Sequence, residues 1–197
     1  MTLKWLNFPS SDANLQMEIV KSLPSRFEGK LTLLEIGTPY GGAVEWMAKE
    51  IPNSTVYGFD TFEGHPRDLS EDQNSPEAVC MDQWYTKYGK EGLDYNYQRK
   101  VLKEEGLKNA TLVKGRINAH SFDMIKKIHF AMLDLDLIQP TKVAYEAIKN
   151  KVVNGGYLFM HDYKALDLIR EFIDREVIPS GLWESKLEGN LAILQKL

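Results

Sequence analysis

Asp134 and Asp136, in Met132-Leu133-Asp134-Leu135-Asp136, and His161 and Asp162, in Phe159-Met160-His161-Asp162-Tyr163, carry the plainest chemical potential in this chain. Both groups follow directly on a short apolar run. Asp134, His161 and Asp162, two carboxylates and an imidazole within reach of one another if both runs are adjacent parallel strands, make either a divalent-metal site or a base able to deprotonate a hydroxyl. Hard oxygen donors favour Mg²⁺ or Ca²⁺, whereas an imidazole favours softer ions such as Mn²⁺, Fe²⁺ or Zn²⁺. The competing reading is that these acids cap the helices that follow, a role that suits Asp136, close to Pro140, best.

A second group surrounds a glycine-rich turn, Glu35-Ile-Gly-Thr-Pro-Tyr-Gly-Gly. Glycines there let the backbone approach a ligand closely, and the helix that follows offers unpaired N–H groups. Thr38 and Pro39 directly after Gly37 break the dinucleotide spacing G-x-G-x-x-G, which disfavours a pyrophosphate cradle. Glu35 instead suits a ligand bearing an ammonium group, such as the methionine moiety of S-adenosylmethionine. Asp60, directly after the run Thr55 to Phe59, stands where a carboxylate accepts hydrogen bonds from ribose hydroxyls in nicotinamide and methyl-donor sites alike. After Val113-Lys114-Gly115-Arg116, Ile117 and Asn118 could flank an adenine.

His65, His120 and His129 lack a comparable convergence. His129, ahead of an apolar run, reads as structural. His65 reads as a turn residue, with a place facing substrate as the alternative. The Asp/Asn-Pro-Pro-aromatic motif, the Gly-x-Ser-x-Gly elbow and the Walker loop are all absent.

The elements that must position these groups follow from periodicity. Leu31–Ile36 is nearly continuously apolar, as a parallel strand covered on both faces should be, and similar runs recur at 55–59, 110–113, 130–133 and 157–160. Helical spacing falls between them at 43–51, 97–105, 141–149 and 165–177, and an N-terminal helical segment is expected within residues 1–29. The alternation predicts an α/β fold, a doubly wound, Rossmann-like and mostly parallel sheet of about seven strands. Residues 182–187 and 191–194, joined by Glu-Gly-Asn, read as a C-terminal antiparallel hairpin. Class I methyltransferases end that way; plain dinucleotide-binding domains do not.

The stretch 61–96 is too long for an ordinary connection and, with Phe62, His65, Trp84, Tyr85, Tyr88 and Tyr95, too aromatic for a linker. It reads as an ordered cap over the carboxyl ends of the strands, the alternative being a helical hairpin packed for stability. The 197 residues, 43% of them hydrophobic, suit one domain spanning the chain. With 24 basic against 28 acidic residues and a net charge of −4, a nucleic-acid partner is not expected. The first residues have no signal-peptide pattern and no segment approaches eighteen continuous apolar residues, so a cytoplasmic protein without a membrane partner is expected. Cys80, the single cysteine, reads as a packing residue. Trp5, Leu6 and Phe8 could pack on a second copy in a homo-oligomer.

Taken together, Glu35-x-Gly37-x-x-x-Gly41-Gly42, Gly58-Phe59-Asp60-Thr61-Phe62-Glu63-Gly64-His65-Pro66, Leu133-Asp134-x-Asp136 with Pro140-Thr141, Gly155-Gly156-Tyr157 and Asp162-Tyr163 resemble the macrocin O-methyltransferase family. The resemblance runs from about Leu33 to about Ile173, and Phe-Asp-Thr-Phe-Glu-Gly is its most distinctive segment. It implies O-methylation of a small-molecule hydroxyl, such as that of a sugar or a glycosylated natural product, with S-adenosylmethionine as cofactor and a divalent metal, usually Mg²⁺. Carried over by position, Glu35, Gly37 and Asp60 would bind the methyl donor. Thr38, Tyr40, Gly41, Thr61, Phe62, Arg116 and Asp134 complete the expected cofactor-binding set. Asp134, His161 and Asp162 would be the metal ligands, and Asp134, Asp136 and His161 the catalytic candidates. The chain departs from the pattern twice, with His161-Asp162 where relatives carry two aspartates, and with Ile138-Gln139-Pro140-Thr141 where they carry Tyr-Glu-Ser-Thr. The first departure implies either a different metal or no metal with His161 as general base, so the expected cofactor set is S-adenosylmethionine with a possible divalent ion, Mg²⁺ or Mn²⁺. A nicotinamide-linked oxidoreductase and a catalytically inactive S-adenosylmethionine-binding module are the alternatives.

Overall fold

The run Leu31–Ile36 forms strand β1, with side chains buried on both sides, in the interior of a seven-stranded sheet. The computed structural model describes residue 3 and residues 11–65 and 93–197. The calls on Trp5, Leu6, Phe8, Cys80, Trp84, Tyr85 and Tyr88, and most of the cap at 61–96, lie outside the described residues. Along the described chain the elements are α1 (Ser11–Arg26), β1, α2 (Gly42–Glu50), β2 (Ser54–Asp60), α3 (Tyr95–Glu104), β3 (Ala110–Lys114), β4 (Ile128–Leu133), α4 (Ile138–Ile148), β5 (Val152–Met160), α5 (Asp167–Phe172), β6 (Trp183–Glu188) and β7 (Leu191–Lys196).

The sheet order is β3-β2-β1-β4-β5-β7-β6. Strands β1 to β5 pair in parallel, and β7 enters antiparallel between β5 and β6. The expected C-terminal hairpin is therefore present, with its second strand paired to β5 and its first at the sheet edge. Strand order reverses between β1 and β4, the switch point at which open α/β sheets leave a crevice for ligands.

Alternate residues of each strand feed two cores. Leu33, Phe130, Met132 and Phe159 pack with Val20 and Leu23 of α1, Val44 and Met47 of α2, and Val101 of α3. On the other face Leu34, Ile36, Leu133 and Met160 pack with Tyr145 and Ile148 of α4, Phe172 of α5, and Trp183. Both faces of the parallel strands are covered, which is why their sequences lack a polar alternation.

The differences from periodicity have local causes. Helix α4 begins three residues before the expected Thr141, with Pro140 in its first turn, where a missing N–H breaks no intrahelical bond. The helix expected over 165–177 is regular only over Asp167–Phe172 and widens to a π turn at Ile173–Val177. Strand β5 begins at Val152, but its register with β4 shifts before Tyr157, and Gly155 takes a φ of +77° in the irregular stretch. The expected run 157–160 is the part in regular register.

Gly58 lets α2 lie close on β2: an added Cβ would stand 2.6 Å from Val44 Cγ2, 2.8 Å from Thr38 Cγ2 and 2.9 Å from Leu112 Cδ2. Overpacking of this kind costs about 1–3 kcal/mol. Gly58→Ala is therefore expected to lower the unfolding free energy by that amount, read as a lower urea midpoint at an unchanged m-value, and an unchanged midpoint would show that α2 moves away freely.

Candidate active site at the strand tips

Register alone aligns the chemical groups. Ile36 pairs with Phe59 and with Leu133, and Leu133 pairs with Met160, so the tips of β2, β1, β4 and β5 are level. The next residues, Asp60, Gly37, Asp134 and His161, leave the sheet side by side. Backbone hydrogen bonds extend the ladder to them, from Gly37 N to Phe59 O (2.8 Å), from Asp134 N to Ile36 O (2.8 Å) and from His161 N to Leu133 O (3.0 Å).

Gly37 has a φ of +93°, and a Cβ there would lie 1.7 Å from the Asp134 carbonyl oxygen, so two backbones meet where no side chain fits. The turn continues through the buried Thr38 and Tyr40 to Gly41, which caps α2 in the left-handed conformation without a side-chain bond. Gln98 of α3 steadies it by donating from Nε2 to the Pro39 carbonyl at 2.6 Å. Glu35 points to the α1 side of the sheet and accepts from Gln16 Nε2 at 3.1 Å. Burial, reinforced by the charge of Asp134, raises its carboxyl well above the usual range, against the opposing effects of Gln16 and His161.

Asp60 closes the next turn. Its Oδ1 accepts from the Phe62 N–H at 2.7 Å, while Thr61 Oγ1 donates to the Gly64 carbonyl at 2.7 Å and Phe62 takes a φ of +53°. Burial pushes the Asp60 carboxyl up to about 6, although the Phe62 N–H opposes it. The Phe62 ring packs on Tyr95 at 5.1 Å, which brings together the two ends of the segment 61–96. Between the loops after β2 and β3 lies a cleft of about 540 Å³ lined by Thr61, Glu63, Gly64, His65, Lys114, Gly115 and Arg116. Thr61 and Arg116 thus share one cavity. Asn118, by contrast, is engaged within its own turn, with Oδ1 accepting from the His120 N–H at 2.9 Å.

The expected convergence of β4 and β5 is present. His161 Nδ1 lies 3.0 Å from Asp134 Oδ1 and 2.9 Å from Asp162 Oδ1. The nitrogen is buried, yet neither carboxylate is aligned to hydrogen-bond it. Burial would lower the imidazole's pKa, but Asp134 and then Asp162 outweigh burial and push it up to about 12. Asp162 adopts a φ of +63° and accepts from Asn190 Nδ2 at 3.0 Å. Helices α4 and α5 take Leu137 and Leu166 as their N-cap residues, so neither Asp136 nor Asp162 occupies the cap position itself.

Asp136, at a φ of +58°, turns toward the loop after β2, where its Oδ2 lies 3.0 Å from His65 Nε2. Burial raises the Asp136 carboxyl, with the His65 hydrogen bond opposing. His65, set aside in the sequence as a turn residue, thus bridges the β2 loop to the β4 tip, while its Nδ1 is buried without a hydrogen-bond partner. His129 is structural as expected, but it lies inside β4, accepting from the Thr32 N–H at 3.0 Å. His120 pairs with Asp123 at the surface.

Three polar residues at the site escaped sequence reasoning. Gln16 and Asp12 reach it from α1, with Asp12 Oδ2 3.9 Å from His161 Nε2, and Asn190 reaches it from the β6–β7 turn, its backbone N–H donating to Asp12 Oδ2 at 3.3 Å. The spacing of Asp12 and Gln16, one helical turn apart, is the signal that could have found them.

Comparison with known proteins agrees with this geometry. The family model for macrocin-O-methyltransferase (TylF) matches residues 13–178. The structure is similar to that of the O-methyltransferase NovP, with a TM-score of 0.70 and 19% identity over 93% of this chain and 78% of that one. It is similar to CalS11, a calicheamicin methyltransferase, with a TM-score of 0.72 and 20% identity over 96% of this chain and 80% of that one. An rRNA methylase from Streptococcus thermophilus shares the fold at a TM-score of 0.62 and 16% identity, over 97% of this chain and 99% of that one. No curated protein sequence matches the chain. Among the described residues, no helix is long and apolar enough to cross a membrane. With the family model matched over most of its length and the hairpin-ended sheet beneath the site, the chain belongs to the macrocin-O-methyltransferase family and is an S-adenosylmethionine-dependent methyltransferase.

Proposed function

We propose that the chain methylates a hydroxyl of a sugar or glycosylated natural product in the crevice above the tips of β1, β2, β4 and β5. The observation that carries this reading is the level line of Asp60, Gly37, Asp134 and His161. Of the structural relatives, CalS11 is described as a TDP-rhamnose 3'-O-methyltransferase.

In this reading the methyl donor lies along the line. Glu35 faces its ammonium group, and the backbone of Gly37 to Gly41, with Thr38 and Tyr40, passes close beneath it. Asp60 accepts from the ribose hydroxyls, and Thr61, Phe62 and Arg116 surround the nucleoside. A ligand with both a sulfonium and an ammonium suits a crevice rimmed by Glu35, Asp60, Asp134, Asp136 and Asp162. Phe62, whose ring packs on Tyr95, is held in the turn built on Asp60 beside the crevice.

Transfer is an in-line displacement. The bond from sulfur to the methyl carbon breaks as the acceptor oxygen bonds to that carbon; the sulfonium leaves as a thioether and the hydroxyl proton passes to a base. Asp136 is that base in this reading, since burial raises its affinity for a proton while His65 orients it. The residues also fit a divalent ion: Asp134, His161 and Asp162 each offer a donor atom within 4.8 Å of the others, and His161 Nδ1 lacks an aligned partner. Such an ion supplies Lewis acidity that lowers the pKa of the acceptor hydroxyl. Asp134 and the pair at 161 and 162 orient that hydroxyl toward the methyl group, which is the larger part of the rate.

Calorimetry with S-adenosylhomocysteine and with NAD tests the donor, and methyl transfer to nucleotide sugars and glycosylated natural products, with and without EDTA, tests the acceptor. Binding of NAD in place of S-adenosylhomocysteine would sink the reading.

Asp60 also sets a trade between stability and binding. Its folded value of about 6 lies above the ordinary 3.8, so its contribution to stability is present below pH 3.8 and lost as the pH rises through about 6. Asp60→Asn removes the charge while keeping an acceptor for the Phe62 N–H. At pH 8 the unliganded variant should melt about 2–4 °C above wild type for each kcal/mol relieved, with the gap closing toward pH 4. Its affinity for S-adenosylhomocysteine should fall about tenfold or more, as charge-assisted hydrogen bonds are lost. An unchanged affinity would remove Asp60 from the donor site.

A further inference from the structure

We propose that Asp12 of α1 orients His161 so that its Nδ1 completes a set of three donors selective for a six-coordinate first-row transition ion over Mg²⁺. The inference rests on the reading of Asp134, His161 and Asp162 as a metal site, and takes it further in two respects, the geometry demanded of the ion and the residue that fixes the imidazole.

The geometry comes from the spacing. Donors held at about 2.1 Å from an octahedral ion and at right angles to one another lie roughly 3.0 Å apart, whereas tetrahedral zinc at about 2.0 Å wants roughly 3.3 Å. His161 Nδ1 stands 3.0 Å from Asp134 Oδ1 and 2.9 Å from Asp162 Oδ1, two edges at the octahedral spacing, and the three donor atoms lie within 4.8 Å of one another. A nitrogen wedged between two carboxylates without aligning on either meets both contacts through one shared cation better than through one proton. Donor type then separates the octahedral ions. Mg²⁺ prefers an all-oxygen shell, and an imidazole shifts preference toward Mn²⁺, Fe²⁺ or Co²⁺.

The orientation comes from helix α1. A ligating histidine ordinarily donates its second ring N–H to a carboxylate, which fixes the tautomer and raises the donor strength of the first nitrogen. Here Nδ1 faces the two aspartates, and Asp12 Oδ2 lies 3.9 Å from Nε2 on the opposite side of the ring. Asp12 is itself buried and held by the Asn190 N–H at 3.3 Å, and Asn190 Nδ2 holds Asp162 at 3.0 Å. One turn between β6 and β7 therefore braces both the positioning carboxylate and a donor carboxylate. A Cβ at Gly189 would stand 2.2 Å from Asp12 Oδ1, so the turn is shaped to admit Asp12.

The test is metal binding by the full chain saturated with S-adenosylhomocysteine, using Mn²⁺, Mg²⁺ and Zn²⁺ as probes. Wild type is expected to bind Mn²⁺ at least about tenfold more tightly than Mg²⁺, and the electron spin-echo spectrum of bound Mn²⁺ should carry the ¹⁴N coupling of one imidazole. His161→Asp should abolish that coupling and narrow the preference to within a few fold. Asp12→Asn should weaken Mn²⁺ about 10- to 100-fold, with S-adenosylhomocysteine affinity and melting temperature close to wild type. Bound Mn²⁺ without a ¹⁴N coupling, or Mg²⁺ bound as tightly as Mn²⁺, overturns the selectivity even if His161→Asp fails to fold. Unchanged Mn²⁺ affinity in Asp12→Asn overturns the role of Asp12. Absence of Mn²⁺ binding with S-adenosylhomocysteine still bound overturns the metal site while leaving the methyl-donor reading standing.

Discussion

Asp134→Asn is expected to lower turnover at saturating methyl donor by roughly 10³-fold or more, while S-adenosylhomocysteine affinity changes by no more than about threefold. Asp134 sits at the centre of the tip line, 3.0 Å from His161 Nδ1 and one strand from Gly37. The substitution keeps the side-chain shape and the backbone approach to Gly37 but removes the anionic oxygen that His161 faces. The loss should therefore fall on kcat, because an interaction that orients the acceptor for attack has no counterpart in a complex holding only the spent donor. Single-turnover methyl transfer, with calorimetry on the same preparation, separates the two quantities. Retained turnover would remove Asp134 from the mechanism, and a matching loss of donor affinity would move its role to cofactor binding.

Gly37→Ala is expected to be the most damaging single-methyl change at the site. The added carbon would lie 1.7 Å from the Asp134 carbonyl oxygen and 2.6 Å from its carbon, both backbone atoms of an adjacent strand, and the residue would keep a φ of +93°. A flexible side chain could swing away from such a clash. A strand tip inside a parallel sheet cannot, without breaking the hydrogen bonds from Asp134 N to Ile36 O and from Gly37 N to Phe59 O. A cost of about 4 kcal/mol or more follows from the combined clash and backbone strain, which for a chain of this size lowers the melting temperature by about 10 °C. Thermal unfolding measures it directly. A melting temperature within about 2 °C of wild type would show that the β1 and β4 tips are not held this closely.

Much of the fold was legible because its signals are local. The nearly unbroken apolar runs mark strands buried on two faces, and the five core strands lie where those runs stand. The Glu-Gly-Asn turn between two short apolar segments marks the hairpin, whose antiparallel pairing to β5 is present. Of the candidate site, Asp134, His161 and Asp162 were legible as a group for the same reason: each stands within two residues of a strand end, and parallel strands deliver their next residues to one edge. His65 was not. Its partner Asp136 lies 71 positions away in the chain, and only the turn built on Asp60, Thr61 and Gly64 brings the imidazole across to it. Asp12 and Gln16 were missed because they read as ordinary polar positions of a helix until α1 is laid against the end of β1, where Glu35 needs a donor and His161 has a carboxylate behind it.

By itself, the sequence determined the type of each element, the residues at each strand tip, and the chemistry those residue types permit, since apolar period, glycine punctuation and side-chain acidity are properties of a few neighbouring positions. The tertiary structure decided which tips are adjacent, that four of them end level, and that an imidazole stands 2.9 and 3.0 Å from two carboxylates with a third behind it. Those distances arise from strand order, register and the docking of α1. These are set by burial summed over contacts far apart in the chain, and no local pattern encodes them.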